Sequence, residues 1–149
     1  DRESELRRAL QSPLNWLSIP LAVAASRGTE AIKLQITIDF GSVSLSMQDG
    51  RWSGALDLIT QCVDAQGRQV IPPTLDRMTL NLAPETRERA LREGLATSKT
   101  IGLTGHCSQV RLIVYDRLSG KAGSLHVPLS TIASPGSSPA ERHAAQPKP

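Results

Sequence analysis

The chain is poor in aromatic side chains: 149 residues include two Trp, one Tyr and one Phe. A core with so few rings must be built from Val, Ile and Leu. A surface that stacks sugars or bases has few platforms here beyond Trp16, Trp52 and Tyr115. Cysteine is scarce too, at two residues, and histidine numbers three. A structural zinc site takes four convergent ligands at recognisable spacing, which Cys62, Cys107, His106, His126 and His143 do not provide. No run approaches about 18 uninterrupted apolar residues, which excludes a helical membrane span. No signal-peptide pattern is present either. The chain opens on Asp1 rather than Met, so it is expected to be cut from something longer.

Strong charge of either sign is also missing. Seventeen basic residues stand against 14 acidic ones, for a net charge of +3. Most of the excess lies between residues 77 and 121, spread over a predicted helix and several predicted strands. Nucleic-acid binding needs clustered cations with stacking aromatics or a reading helix. A solvated surface is the better reading, and no nucleic-acid partner is expected.

What is present is alternation. In "AIKLQITIDF" (31–40), Ile32, Leu34, Ile36 and Ile38 face one way and polar residues the other, the pattern of a half-buried strand. "SVSLSM" (42–47) alternates likewise, with Val43, Leu45 and Met47 expected inward. "QDGR" (48–51) is a hairpin turn whose Asp-Gly pair supplies positive φ. In "WSGALDLITQCV", Leu56, Leu58, Thr60 and Cys62 share a face. "DAQG" (64–67) turns the chain again, and "TLDRMTLNL" (74–82) is another alternating strand. "APETRERALREGL" (83–95) breaks the period. Pro84 in its first turn, its early Glu residues and Gly94 at its end predict a short helix crossing between sheets.

About seven or eight short strands, with turns roughly every ten residues and no βαβ rhythm, predict an all-β antiparallel sandwich of the immunoglobulin-like kind. Its core is expected to include Leu34, Ile36, Ile38, Leu56, Leu58, Leu80, Val110, Leu112 and Val114. "SELRRALQSP" (4–13) reads as a short N-terminal helix stopped by Pro13. Residues 1–14 are then a lead-in, 15–132 the sandwich, and 133–149 a disordered Pro/Ser/Ala-rich tail.

No constellation for catalysis emerges. His106 and Cys107 are neighbours, and neighbours on a strand point to opposite faces. Asp49, Asp64 and Asp116 fall on turns, where turn formation already explains them. "GSVSLSMQDG" lacks the Lys and the helix of a phosphate cradle. "DFGSVS" distantly resembles an Asp-x-Ser-x-Ser metal loop, but Gly41 stands where the first metal-binding Ser is needed. The chain is therefore expected to be no enzyme, with no catalytic residue, metal or cofactor.

The closing stretch "GLTGHCSQVRLIVYDRLSGKAGSLHVPL" is the most patterned. Two alternating runs flank a turn in which Gly120 and Gly123 are expected to give backbone freedom. Asp116 and Ser119 are placed there to bond local N–H groups. Together with "LRRALQSPL", "IPLAVAA", "IKLQITID", "LDLITQCVDAQGR" and "LNLAPETRERALREGL", it resembles the C-terminal region of bacterial (Acidobacteria-type) VWFA-related proteins. This is the region that follows their von Willebrand A domain, and the resemblance covers roughly residues 4 to 130. The chain departs from that pattern where Thr104-Gly105 replaces Pro-Gly and where Cys107 stands for a Tyr. The parity of the strand also slips by one residue, and a bulge near Ser108 would absorb the slip.

The resemblance implies a non-catalytic accessory or protein-interaction domain of an exported protein. Its location would be extracytoplasmic: periplasmic, cell-surface or secreted. Its partner would be a neighbouring von Willebrand A domain or another envelope protein. The alternative is a carbohydrate- or peptide-binding sandwich, for which Trp52, just after a hairpin turn, is the candidate contact aromatic. Cys62 lies on an inward parity, and the Tyr that Cys107 replaces points inward in the resemblance. Two inward cysteines in an exported domain invite a disulfide, which in immunoglobulin-type sandwiches ties the two sheets across the core. Two buried free thiols remain the other reading.

Overall fold

The computed structural model describes residues 18–70, 72–102 and 107–132. The predicted N-terminal helix and the tail from 133 lie outside these. Among the described residues eight strands form in chain order: β1 Leu21–Arg27, β2 Ala31–Ile38, β3 Ser46–Gln48, β4 Arg51–Val63, β5 Thr74–Leu82, β6 Leu95–Gly102, β7 Gln109–Asp116 and β8 Ala122–Pro128. Among the described residues there is one helix, α1, which spans Pro84–Glu93 between β5 and β6. Single 3-10 turns occupy Phe40–Ser42 and Leu129–Thr131. Among the described residues, no helix is long and apolar enough to cross a membrane.

Every strand pairing is antiparallel. A three-stranded sheet runs β1-β2-β6, and a five-stranded sheet holds β3, β4, β5, β7 and β8. β4 is its hub. One edge pairs with β5 along Trp52–Thr60, while the other pairs with β3 at Arg51–Ser53 and with β7 from Leu56 to Val63. The edge strands of the large sheet are thus β5, β8 and the short β3. The helix α1 carries the chain from one sheet to the other. It starts at Pro84, where the missing N–H has no intrahelical acceptor anyway, and it stops at Gly94, whose φ is 86°.

The two sheets close on an aliphatic core. Ile32, Leu34, Ile36 and Ile38 from β2 meet Leu56 and Leu58 from β4 and Val110, Leu112 and Val114 from β7. All nine core residues expected from alternation are buried. Burying each aliphatic side chain contributes about 1.5–3 kcal/mol. The Asp-Gly turn between β3 and β4 is as expected, with φ of 50° at Asp49 and 75° at Gly50.

Two expectations fail locally. Met47 is 50 % exposed, not inward. The chain makes a 3-10 turn at Phe40–Ser42, and β3 pairs only with the first three residues of β4, at the end of the sheet. Val43 and Leu45 still pack against the core. Gly123 does not serve the turn: a Cβ there would overlap the carbonyl oxygen of Ile19. Gly120, at φ 78°, carries the turn instead. The parity slip expected near Ser108 falls where the ladder begins. The register of β7 is unbroken from Gln109, and the Ser108 N–H donates to the Val63 carbonyl at 2.8 Å.

Candidate functional site

β4 carries both of the positions singled out on chemical grounds, one at each end. Near its C-terminal end Cys62 faces the core and is joined to Cys107 in a disulfide, with Cα atoms 5.6 Å apart. That separation suits a bridge. Cys107 lies two residues before β7, where the chain arrives from β6. The bridge therefore does not cross the core between sheets. It fastens the incoming crossover to β4 inside the large sheet, next to the Cys62–Val110 pair. The physical reason is topological: β4 and β7 are direct neighbours, so their ends are already close.

Trp52 lies ten residues away from Cys62 along β4, roughly 30 Å at strand rise. It pairs with Met47 on β3 and Leu82 on β5. The guanidinium carbon of Arg87 on α1 stands 3.9 Å from its ring centroid. This cation–π contact covers one ring face and fixes α1 over the end of the sheet. Trp52 and the cysteines do not form one site.

The polar residues that the sequence did not single out lie on the outer face of the large sheet. Strand registers align them in rows. One row is Arg77, Asp57, Tyr115 and Ala122; the next is Leu75, Ile59, Ile113 and Ser124; a third is Gln61, Arg111 and His126. Asp57 is 2 % exposed and is flanked by Arg77 at 3.6 Å and Arg117 at 3.9 Å. Two cations offset the desolvation of this buried carboxylate. Burial pushes the Arg111 guanidinium below its ordinary range. Burial, and then the positive charge of Arg111, pushes the His126 imidazole down as well. A signal for this face did exist. "LDLITQCV" and "VRLIVYD" are nearly continuous apolar runs around a few polar residues, the mark of strands buried on both faces.

Asp116 is a second buried carboxylate, fully enclosed. It accepts from the Ser44 N–H at 2.7 Å and from the Leu118 N–H at 3.0 Å. Ser119 Oγ accepts from the Lys121 N–H at 3.1 Å, completing the turn. A cleft of about 110 Å³ opens between β4, β5 and β6, lined by Thr60, Cys62, Thr74, Lys99 and Ile101 among others. Its hydroxyls bond each other across Thr60 and Thr74, and Lys99 Nζ lies 2.6 Å from Asp76. Among the described residues, no group of three or more His, Cys, Asp or Glu converges as a metal site.

Fold and site together define an all-β, two-sheet domain whose two buried carboxylates, Asp57 and Asp116, are met by its own side chains and backbone. No family model matches the chain, and no curated protein matches it in sequence.

Proposed function

We propose that this is a non-catalytic accessory or protein-interaction domain of an exported protein, of the kind that follows a von Willebrand A domain in VWFA-related bacterial proteins. The observation that carries this reading is how the buried charges are placed. Asp57 faces Arg77 and Arg117, and Asp116 holds three elements of the fold together. They serve architecture, each carboxylate facing cations or backbone N–H groups of the domain itself. The Cys62–Cys107 bridge suits an oxidising compartment, and so supports an extracytoplasmic location.

The outer face of the small sheet is the surface offered to a partner. Ala22, Ala24, Lys33, Gln35, Thr37 and Ser98 are all exposed there, short or polar, on three paired strands. An immunoglobulin-like topology fits this role. A sugar-binding role would rest on Trp52, one of whose two ring faces is already taken by Arg87.

The test is binding in two formats. The 149-residue chain is titrated with the A domain encoded upstream in its own reading frame, and the chain is also applied to a glycan array. Saturable binding of the A domain, with no glycan retained, is expected. Specific glycan retention that is lost in Trp52→Ala would overturn the reading in favour of the sugar binder. A reading frame with no A domain upstream would remove the proposed partner.

A further inference from the structure

The outer face of the large sheet is buried, yet no described element lies on it. Ile59, Ile113 and Tyr115 at its centre are 3 %, 0 % and 4 % exposed. The small sheet packs on the opposite face. The helix α1 belongs to the inner side, with Ala90 in the inner core and Arg87 over Trp52. The last 3-10 turn also faces inward, through Leu129 and Ile132. Of the 64–70 loop, Gln69 reaches the end of the face through Gln61, and the candidates for covering its centre are the segments outside the described residues: 1–17, 71, 103–106 and 133–149.

Composition selects among these. An apolar face is covered by apolar side chains. Residues 133–149 contain no apolar side chain other than Ala and Pro. Residue 71 and the four residues 103–106 are too few to cross strands spaced about 4.8 Å apart. Residues 1–17 carry Leu6, Leu10, Leu14, Trp16 and Leu17, with Leu6, Ala9 and Leu10 at helical spacing.

Position allows it. The backbone of Ile19 is seated against Gly123 of β8, an edge strand of the large sheet. Gly123 shares the inner row with Val114, so Ile19 lies on the inner side of this edge, and the segment before it would reach the outer face by passing around β8.

We propose that residues 4–17 dock on the outer face of the five-stranded sheet as a third layer, with their leucines over Ile59, Ile113 and Tyr115. The segment is then an integral strap of the domain and not a lead-in to it.

The test places a photoreactive benzophenone amino acid at position 10 of the full chain. Irradiation is expected to cross-link it, within the monomer, to peptides holding Ile59, Ile113 or Tyr115. Cross-links to the small sheet, cross-links formed only between two copies, or none to these peptides would overturn the proposal. Leu10→Asp and a chain lacking residues 1–17 are each expected to gain binding of an anilinonaphthalene dye several-fold. No gain in either variant, or a gain on removing 133–149 instead, would also overturn it. The cross-link needs no truncated chain, so it decides even where the shortened protein fails to fold.

Discussion

Gly123 illustrates how a single residue sets the distance between layers. β8 accepts the backbone of Ile19 directly against its own, and any Cβ at 123 would occupy the place of the Ile19 carbonyl oxygen. Backbone has no rotamer with which to move aside. Gly123→Ala should therefore destabilise the fold by about 1–3 kcal/mol, the range for overpacking. Urea denaturation measures this, and an unchanged midpoint would mean that Ile19 is not seated there. Asp116 acts by the opposite means, drawing groups in. Asp116→Ala strands the Ser44 and Leu118 N–H groups and should cost about 1–3 kcal/mol for each one left buried without an acceptor. His126 gives a pH dependence of known sign. Its folded-state pKa lies below its ordinary value, by burial first and the charge of Arg111 second. The fold therefore favours neutral imidazole, and this contribution is present above the unfolded pKa of about 6.5. It is lost as pH falls through that value towards the lower folded one. The melting temperature should drop between about pH 7.5 and 5.5, and His126→Gln should flatten that part of the curve. An identical slope in the variant would assign the drop to another group.

At the scale of elements, what was legible depends on how many faces of a strand are buried. β2 alternates because one face meets the core and the other meets solvent, and its register reads directly from "AIKLQITI". β4 and β7 are buried on both faces, so the same reading finds their inner parity and misses the outer one. Ile59, Ile113 and Tyr115 went unassigned for that reason, and Asp57 with them. Met47 fails in the other direction. Its parity is regular, but β3 extends along the end of β4, and alternation carries no information about where the sandwich ends. Turns read well where one residue type is forced, as at Asp49-Gly50, and poorly where glycine serves close approach, as at Gly123. The disulfide belongs to this scale too. It ties β4 to the segment entering β7 and closes a 45-residue loop. Chain-entropy arithmetic gives about 4 kcal/mol for such a loop, an upper figure because structure retained in the unfolded chain reduces the entropy the bridge removes. Reductant should lower the urea midpoint of the native chain and leave the Cys62→Ser/Cys107→Ser variant unmoved. Two titratable thiols in unreduced, denatured protein would show that the bridge does not form.

At the scale of the whole molecule, the question is how many layers the fold has. Adjacent residues on β7 answer it, because a strand points them to opposite faces. Leu112 faces the core between the sheets and is fully buried. Ile113 faces away from that core and is equally buried, at 0 % exposure. If the domain were two sheets with a wet outer surface, truncating Ile113 would remove methyl groups from water and change stability by a few tenths of a kcal/mol. With a covered outer face, Ile113→Ala leaves a cavity in a packed layer and should cost about 2–5 kcal/mol, as Leu112→Ala should. Leu75 is the internal control. It shares the row of Ile113 but lies on edge strand β5, 49 % exposed, so Leu75→Ala should change little. Chemical denaturation of the three variants in the full-length chain separates the cases. Similar large losses at 112 and 113 with a small one at 75 place two hydrophobic layers in the molecule, one on each side of β7. A loss at 112 alone would leave a single core between two sheets.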